Sequence, residues 1–347
     1  MTRTDIASSH FWLDRANLCK LENDITGEEA ALDRLLDGYP RSVVGHFRKA
    51  DCRANAGDEA AACLLYTKGL SLADGLDLPT EIAVELRRAE LSLARLQGKA
   101  HEKRERRLMA RGFPLKRWSE RFRQSMEIAA GKRKLYLQNP TAYTYPGLPH
   151  IQFFDPDQFD WVSDIEAAAP VIRDELIALL KQDQSRFRAY IQSEGSGPLG
   201  GNKALLNNKN WSVLSLCENG WLTPDVVQNC PKTWEAILKA PLPRIAGWGP
   251  TIVFSMLKAG ARITAHTGMI NTRLICHLPL VVPPGCGFRV GNEVREWEEG
   301  KLLIFDDTIE HEAWNEGSED RIVLIFDIWR PELTEQERFE LTALFSD

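Results

Sequence analysis

Apolar residues recur at helical spacing in the first third of the chain. One apolar face carries Ala31, Leu32, Leu35 and Leu36, and a second, with spacings of four, three, four and three, carries Ile82, Leu86, Ala89, Leu93 and Leu96. Turn signals break the pattern at Gly38-Tyr39-Pro40, Ala56-Gly57-Asp58 and Asp74-Gly75. The pattern predicts helices from about residue 25 to residue 112, paired antiparallel across short turns. Such helix pairs fit tetratricopeptide-like repeats. Because no clean repeat of roughly 34 residues appears, a simple helical bundle fits equally well.

The pattern changes after Pro146-Gly147-Leu148-Pro149. A segment with Phe153-Phe154-Asp155 precedes a predicted helix from about Trp161 to Lys181, and the glycine-rich stretch Gly195 to Gly201 predicts a mobile loop. After Pro250, short runs of β-branched and apolar residues alternate with turn signals, which favours a sandwich or jelly-roll. The predicted strands are Thr251 to Leu257, Arg262 to His266, Asn271 to Val282, Phe288 to Val290, Val294 to Trp297, Leu302 to Phe305 and Ile322 to Trp329.

Composition narrows the classes of protein. Of the 347 residues, 44% are hydrophobic and 27% charged, as in ordinary globular proteins. The net charge of −6 argues against a general attraction to nucleic acid. We expect no membrane span, because no run of 18 apolar residues occurs, and no signal peptide. Seven scattered cysteines without a CxxC pair favour a reducing cytoplasm over disulfides or zinc.

A basic run lies near the end of the predicted helices. Between Lys99 and Arg111 it carries five further cations against two glutamates, namely Lys103, Arg104, Arg106, Arg107 and Arg111. We interpret it as a solvated helix end or linker rather than a nucleic-acid patch.

Two histidines in the strand-rich region are candidate metal ligands. His266 ends one predicted strand, and His311 lies 45 residues later, just after another. Iron(II) oxygenases hold their metal by two imidazoles and a carboxylate on one side and leave the other side open. The usual carboxylate position, two residues after the first histidine, is Gly268 here. Asp306, Asp307 and Glu310 are expected to fix the turn or to orient His311 rather than to bind metal.

Arg321 follows His311 by ten residues and enters the apolar run Ile322 to Phe326, so we expect it to be buried beside an anion. Arg273 and His277 share one face of a strand, where they contact a cosubstrate or belong to a plain hydrogen-bond network. Ser255 precedes the first histidine by one strand and can offer a hydroxyl. Trp211 lines the substrate entrance or belongs to the core; the ten tryptophans suggest a large core or pocket walls.

Several short motifs, which follow one another along the chain, resemble those of the aspartyl/asparaginyl β-hydroxylase family, whose members are iron(II)- and 2-oxoglutarate-dependent oxygenases. The similarity is strong from about Ser255 to Leu333 and extends back toward Pro146. The motifs are His266-Thr267-Gly268, Asn271-Thr272-Arg273-Leu274, His277-Leu278, Trp297-Glu298-Glu299-Gly300-Lys301, Phe305-Asp306-Asp307, Glu310-His311-Glu312-Ala313-Trp314-Asn315 and Asp327-Ile328-Trp329-Arg330-Pro331-Glu332-Leu333.

The resemblance implies an α+β chain. A tetratricopeptide-like helical region (1–115) and a linker helix (116–145) would precede a double-stranded β-helix oxygenase domain (146–347). It also implies that His266 and His311 hold iron without a protein carboxylate, in keeping with Gly268. Arg321 and Ser255 would then bind the far carboxylate of 2-oxoglutarate, with His277 as a neighbour. The sequence departs from the family pattern Arg-Leu-Arg-x-His, because Ile275 replaces the second arginine.

The implied reaction is hydroxylation by dioxygen, coupled to conversion of 2-oxoglutarate to succinate and carbon dioxide. The leading hypothesis is an enzyme that hydroxylates the β-carbon of Asp or Asn in a peptide or protein. The same chemistry on a free amino acid, a small metabolite or a lipid acyl chain is an alternative. Halogenation at an iron lacking the carboxylate, and a non-catalytic peptide-binding scaffold, are weaker alternatives.

Overall fold

A computed structural model describes residues 3–75, 79–182, 186–192 and 206–346. The chain forms two compact units, Met1–Lys134 and Leu135–Asp347. The predicted loop from Gly195 to Gly201 lies outside the described residues. Within the described residues, no helix is long and apolar enough to cross a membrane.

The first unit is helical, as the sequence predicted. Asp24, Ser42 and Asp58 each accept a hydrogen bond from a backbone N–H in the first turn of a helix, which satisfies a donor that the helix leaves free. The helices end at or next to the predicted breaks. They are α1 (Arg3–Leu21), α2 (Ile25–Gly38), α3 (Val43–Asn55), α4 (Glu59–Ala73), α5 (Thr80–Ala110) and α6 (Glu120–Ala129).

Two apolar clusters form the core of this unit. The predicted apolar positions Ala31, Leu32 and Leu35 are buried in one, and Ala89 and Leu96 in the other. The first helix, α1, was not predicted. The tetratricopeptide-like character of the unit stays a prediction.

The boundary between the units falls inside the segment predicted as a linker helix. Only Glu120–Ala129 of that segment is α-helical. Residues from 135 onward belong to the second unit because their backbone is bound there: the N–H of Asn139 donates to Thr308 O at 2.8 Å and that of Thr141 to Gly268 O at 3.0 Å. In the structure the second compact unit begins at residue 135, inside the predicted linker segment, and the domain bounds given from the sequence stay a prediction.

The second unit combines twelve strands with four α-helices within its described residues. The helices are α7 (Val162–Gln182), α8 (Pro224–Asn229), α9 (Pro231–Ile237) and α10 (Glu335–Phe345). The strands are β1 (Phe153–Phe154), β2 (Arg188–Ala189), β3 (Trp211–Glu218), β4 (Trp221–Leu222), β5 (Ile252–Leu257), β6 (Arg262–His266), β7 (Arg273–Val281), β8 (Cys286–Val290), β9 (Glu293–Arg295), β10 (Leu303–Phe305), β11 (His311–Asn315) and β12 (Arg321–Trp329).

These strands build two antiparallel sheets. The larger has the order β1-β10-β7-β12-β5-β3-β2, with β4 beside β3, and the smaller has the order β6-β11-β8-β9. One apolar cluster, with Phe288 and Ala313 from the small sheet and Leu257 and Val323 from the large one, lies between them. This is the predicted jelly-roll arrangement. A second cluster covers the outer face of the large sheet beneath α7 and α9.

Alternation along the strands decides which residues face the space between the sheets. On β7, Leu274, Cys276 and Leu278 belong to the outer cluster, so Arg273, Ile275 and His277 face inward. On β12, Val323 lies between the sheets, which places Arg321 and Asp327 on the same inner face.

Candidate active site

The two candidate ligands are neighbours across a strand pair. His266 ends β6, His311 begins β11, and they are opposite one another in the antiparallel register. Their ring centres are 4.2 Å apart. Nδ1 of His266 lies 2.8 Å from Thr264 O, and Nδ1 of His311 lies 3.0 Å from Ile309 O. A carbonyl oxygen only accepts, so each Nδ1 carries the proton and each Nε2 keeps its lone pair for a metal.

Burial keeps both imidazoles neutral. It lowers the pKa of His266, and it lowers the pKa of His311 well below the usual value, with a further contribution from the neighbouring His266. Neutral imidazole is the form that binds a metal ion. The pair therefore offers two ligands without a cost of deprotonation.

Gly268 leaves no room for a third ligand at the usual carboxylate position. A Cβ atom built on Gly268 would lie within 2.7 Å of all three carboxyl atoms of Asp307. Burial raises the pKa of Asp307 to about 7, and its Oδ1 has no hydrogen-bond partner. No cluster of three or more His, Cys, Asp or Glu side chains suited to a metal occurs in the described ranges.

Arg321 is the first residue of β12, as predicted, and its side chain is 1% exposed. Its guanidinium lies 4.6 Å from the centre of the Trp297 ring, yet Nε and Nη1 have no hydrogen-bond partner. Burial without an anion lowers its pKa to about 10. A buried, unpaired guanidinium is costly, and a bound carboxylate would satisfy it.

His277 and Ser255 lie near this arginine with different partners. The ring of His277 packs against Phe288, Trp297 and Phe305, and its Nδ1 has no partner. Burial and the positive charge of Arg321 hold its pKa well below the usual range.

Ser255 Oγ accepts a 3.1 Å hydrogen bond from Trp211 Nε1. The indole of Trp211 also lies 5.9 Å from the His266 ring, so Trp211 is a wall of the site. Tyr190, which the sequence did not single out, packs against Trp211 with ring centres 4.7 Å apart. No pattern around residue 190 marks it in the sequence.

The structure gives Arg273 a protein partner. Its Nη1 donates to Asp327 Oδ2 at 2.9 Å across β7 and β12, which is the hydrogen-bond network that the sequence offered as one alternative. The inner face of β7 thus carries an ion-paired arginine, the apolar Ile275 and a neutral histidine.

The remaining acidic candidates have structural partners. Asp306 accepts from the N–H of Thr308 at 3.0 Å and from Arg330 Nη1 at 2.7 Å, so it fixes the turn before His311, as predicted. Glu310 accepts from Arg289 Nη2 at 3.0 Å.

The second unit contains a cavity of about 430 Å³ that collects most of the candidate site residues. His266, His311, Arg321, His277, Ser255 and Trp211 all contribute to its wall. Ile263, Ile270, Ile275 and Ile325 add apolar surface to the same wall. The volume suits a small dicarboxylate together with part of a substrate.

A jelly-roll with two neutral imidazoles and a buried, unpaired arginine in one cavity is compatible with a metal-dependent oxygenase. The profile of the family described as Aspartyl/Asparaginyl beta-hydroxylase matches residues 166–331. The chain belongs to this family.

Similar proteins carry hydroxylase names. The human aspartyl/asparaginyl beta-hydroxylase is 36% identical over 184 residues, 53% of this chain and 23% of that protein. The ornithine lipid ester-linked acyl 2-hydroxylase of Rhizobium tropici is 34% identical over 237 residues, 67% of this chain and 77% of that protein. The chain thus spans under a quarter of the human protein. These similarities support an oxygenase that hydroxylates.

Solved structures similar to this chain include the cupin domain of Schizosaccharomyces pombe Cnp3, with 10% identity, a TM-score of 0.24, and coverage of 35% of this chain and 67% of that one. A predicted oxalate decarboxylase from Thermotoga maritima has 12% identity, a TM-score of 0.23, and coverage of 35% and 81%.

Proposed function

We propose that the protein is an iron(II)- and 2-oxoglutarate-dependent hydroxylase that adds one oxygen atom to a methylene group beside a carbonyl or carboxyl carbon. The observation that carries the proposal is the pairing, in one cavity, of two imidazoles with free Nε2 atoms and a buried guanidinium without an anion.

The residues fit both groups. His266 and His311 would hold the iron through Nε2, while their Nδ1–H bonds to backbone carbonyls fix the ring orientations. Iron(II), when bound there, supplies the activation of dioxygen, which protein side chains cannot perform. With two protein ligands, more coordination positions remain for cosubstrate and dioxygen than in a site with a carboxylate.

Arg321 would bind the distal carboxylate of 2-oxoglutarate, and Ser255 would add a hydroxyl contact. Because Arg321 is buried and unpaired, a carboxylate gains full Coulombic attraction there without displacing a protein partner. His277, neutral and beside Arg321, would neither repel the cation at the pH of the cell nor compete for the carboxylate.

The first candidate substrate is an Asp or Asn residue in a peptide or protein, the substrate type in the name of the human relative. Its β-carbon is a methylene beside the side-chain carbonyl carbon. In this candidate the tetratricopeptide-like helical unit would help to bind the polypeptide.

The second candidate is a fatty acyl ester, and Ile275 favours it. The side chain at 275 lies on the inner face of β7 between Arg273 and His277 and lines the cavity, where members of the family often carry an arginine. An apolar wall there suits a hydrocarbon chain rather than a charged side chain. The acyl 2-position is also a methylene beside a carbonyl carbon, and the Rhizobium relative is named for that reaction.

The test is release of succinate from 2-oxoglutarate by the full chain, with added iron(II) and air but no candidate substrate. We expect slow release that requires the metal, and the variant His266→Ala should lose it. His150→Ala, an exposed histidine of the same unit outside the cavity, serves as the control. Metal-independent release, or equal release by His266→Ala, would overturn the proposal.

A second measurement does not depend on turnover. Without dioxygen, the full chain should show a visible charge-transfer absorption only when iron(II) and 2-oxoglutarate are both present. Stimulation of succinate release by an aspartyl peptide or by a fatty acyl ester, with the product heavier by one oxygen atom, then distinguishes the two substrate candidates.

A further inference from the structure

A strongly basic surface surrounds the turn between α5 and α6 in the helical unit. Residues 103–123, which we refer to as the basic tip, contain nine basic and two acidic residues, a net charge of +7 in a chain whose net charge is −6. Lys103, Arg107 and Arg111 recur at intervals of four and so share one side of the last turns of α5.

Most of this positive charge has no counter-ion among the residues that the structure describes. The two acidic residues are engaged, Glu105 with His101 and Glu120 with Arg123. Within the described part of the chain, seven exposed basic side chains form no ion pair: Lys103, Arg106, Arg107, Arg111, Lys116, Arg117 and Arg121. The surface therefore attracts anions from solution.

The basic tip also exposes large apolar side chains at the turn itself. Phe113 is 53% exposed and Leu115 is 52% exposed, and Met109 and Phe122 flank them with exposed surface as well. Large apolar side chains grouped on a surface mark an interaction site rather than an average exterior.

Local hydrogen bonds hold this turn in place. Trp118 Nε1 donates to Phe113 O at 3.1 Å, and Arg117 Nη1 donates to Gly112 O at 3.1 Å. Gly112 adopts φ +83°, which turns the chain out of α5 and places Phe113 at the apex. The exposed apolar side chains are thus presented on an ordered turn.

We propose that the basic tip docks the protein on the surface of an anionic lipid bilayer. Basic side chains would contact the headgroups, and Phe113 and Leu115 would enter the boundary between headgroups and acyl chains. Phe113 and Phe122 have faces on which bases can stack, but Leu115 and Met109 do not, whereas all four side chains suit the apolar boundary of a bilayer. The set as a whole therefore favours a bilayer over a single-stranded nucleic acid. Such docking would also bring the chain to acyl esters, although it is independent of the reaction proposed above.

The experiment is co-sedimentation of the full chain with vesicles, without iron or 2-oxoglutarate. Binding to an equal mixture of phosphatidylcholine and phosphatidylglycerol should be strong at low salt and weaken as salt rises, with little binding to phosphatidylcholine alone. Each basic residue near an anionic surface strengthens binding about fivefold, so a triple Arg107→Gln, Arg111→Gln, Lys116→Gln variant should bind roughly a hundredfold more weakly.

A matched variant controls for overall charge. Arg34, Arg41 and Lys68 are exposed basic residues of the same unit, and their triple replacement by Gln removes the same charge outside the basic tip. We expect this control to bind within a factor of about three of the parent, well inside the fivefold assigned to one basic residue. The double variant Phe113→Ser, Leu115→Ser should bind more weakly than the parent at high salt, where the apolar contribution dominates.

Three outcomes would overturn the proposal. They are equal binding to neutral and anionic vesicles, equal weakening by the control triple, and displacement of the vesicles by a DNA oligonucleotide that binds the basic tip more tightly. Circular dichroism melts of each variant verify folding. Succinate release without substrate is measured separately. Failure of vesicle binding therefore does not contradict the proposed reaction, and failure of succinate release does not contradict membrane docking.

Discussion

The carboxyl group of Asp307 occupies the space beside Gly268 in which the side chain of an ordinary iron-binding carboxylate would begin. All three of its carboxyl atoms lie within 2.7 Å of where a Cβ on Gly268 would be. Any side chain at 268 must therefore displace Asp307, and Asp307 is 6% exposed, with little room to move. Gly268 and Asp307 form one packing unit, so a carboxylate cannot be introduced at 268 by substitution there alone.

The variant Gly268→Ala should destabilise the second unit by about 1–3 kcal/mol, because one added methyl group overpacks a buried site. Unfolding in urea of the single and double variants measures the coupling. Asp307→Ala in the same chain should recover most of the loss, because it removes the atoms that collide. Gly98→Ala is the control. A Cβ at residue 98 meets no atom within 4 Å, and alanine is favoured over glycine inside a helix, so this substitution should not destabilise the chain. Additive effects of the 268 and 307 substitutions would reject the packing unit.

Arg321→Met should separate binding from stability. The substitution removes a buried cation with two unpartnered nitrogens and keeps a side chain of similar length, so the protein without cosubstrate should gain about 1–3 kcal/mol. The same variant should lose the stabilisation that 2-oxoglutarate gives the parent, and its KM for 2-oxoglutarate should rise by at least about tenfold. Thermal melts with and without 2-oxoglutarate measure both effects. A variant that melts lower and still responds to 2-oxoglutarate would contradict the assigned role.

Asp307 should make the free energy of unfolding fall as pH rises, which is the opposite of what a carboxylate in an ion pair does. Its pKa is raised from 3.8 to about 7 in the folded chain, so folding favours the protonated form. The stabilising contribution is present below the unfolded pKa and is lost as pH rises through about 7. Asp307→Asn, which mimics the neutral acid, should therefore flatten the stability profile between about pH 4 and pH 7 and be the more stable chain at pH 8, by up to about 4 kcal/mol. Urea unfolding at several pH values with a metal chelator present tests this, and parallel profiles for both chains would contradict it.

The sequence predicted where much of the candidate site lies, because its residues hold regular positions along strands. Arg321 begins β12, His266 ends β6, and the alternation of Arg273 and His277 on β7 is visible as a period of two. Motifs in a fixed order then supplied the family, which the profile match over residues 166–331 bears out.

What the sequence left open depends on contacts between distant segments. The ion pair of Arg273 with Asp327 joins residues 54 positions apart, and the contact between Gly268 and Asp307 needs two loops to meet. Strand β3, which brings Trp211 to Ser255, was not predicted, because a strand buried on both faces lacks the alternation that marks a half-buried strand. Residues 135–145 were assigned to a linker because their hydrogen bonds to Thr308 and Gly268 depend on the folded partner.

Ile275→Arg should test whether the apolar wall selects the substrate. An arginine there would add a cation beside Arg273 and remove apolar surface from the cavity, so stimulation of succinate release by a fatty acyl ester should fall at least about tenfold. Ile275→Leu keeps the apolar volume and should retain that stimulation. A gain of stimulation by an aspartyl peptide in Ile275→Arg would assign position 275 to the choice between the two substrate classes. Equal stimulation by acyl ester in all three chains would remove Ile275 from that choice.

Metal binding should require His266 and His311 but not His277, although all three imidazoles line the same cavity. His266 and His311 direct Nδ1–H toward backbone carbonyls, which leaves each Nε2 unprotonated. The Nδ1 of His277 has no partner, and its ring is enclosed by Phe288, Trp297 and Phe305. Cobalt(II) in place of iron(II) gives visible absorption that reports the ligands directly. His311→Ala should weaken cobalt binding by more than about 100-fold, since loss of a ligand exceeds the effect of losing its supporting partner. His277→Ala is the matched control from the same cavity and should leave the cobalt spectrum unchanged. If His277→Ala weakens cobalt binding as much as His311→Ala does, the metal is held by a different pair of imidazoles from the one that the register of β6 and β11 brings together.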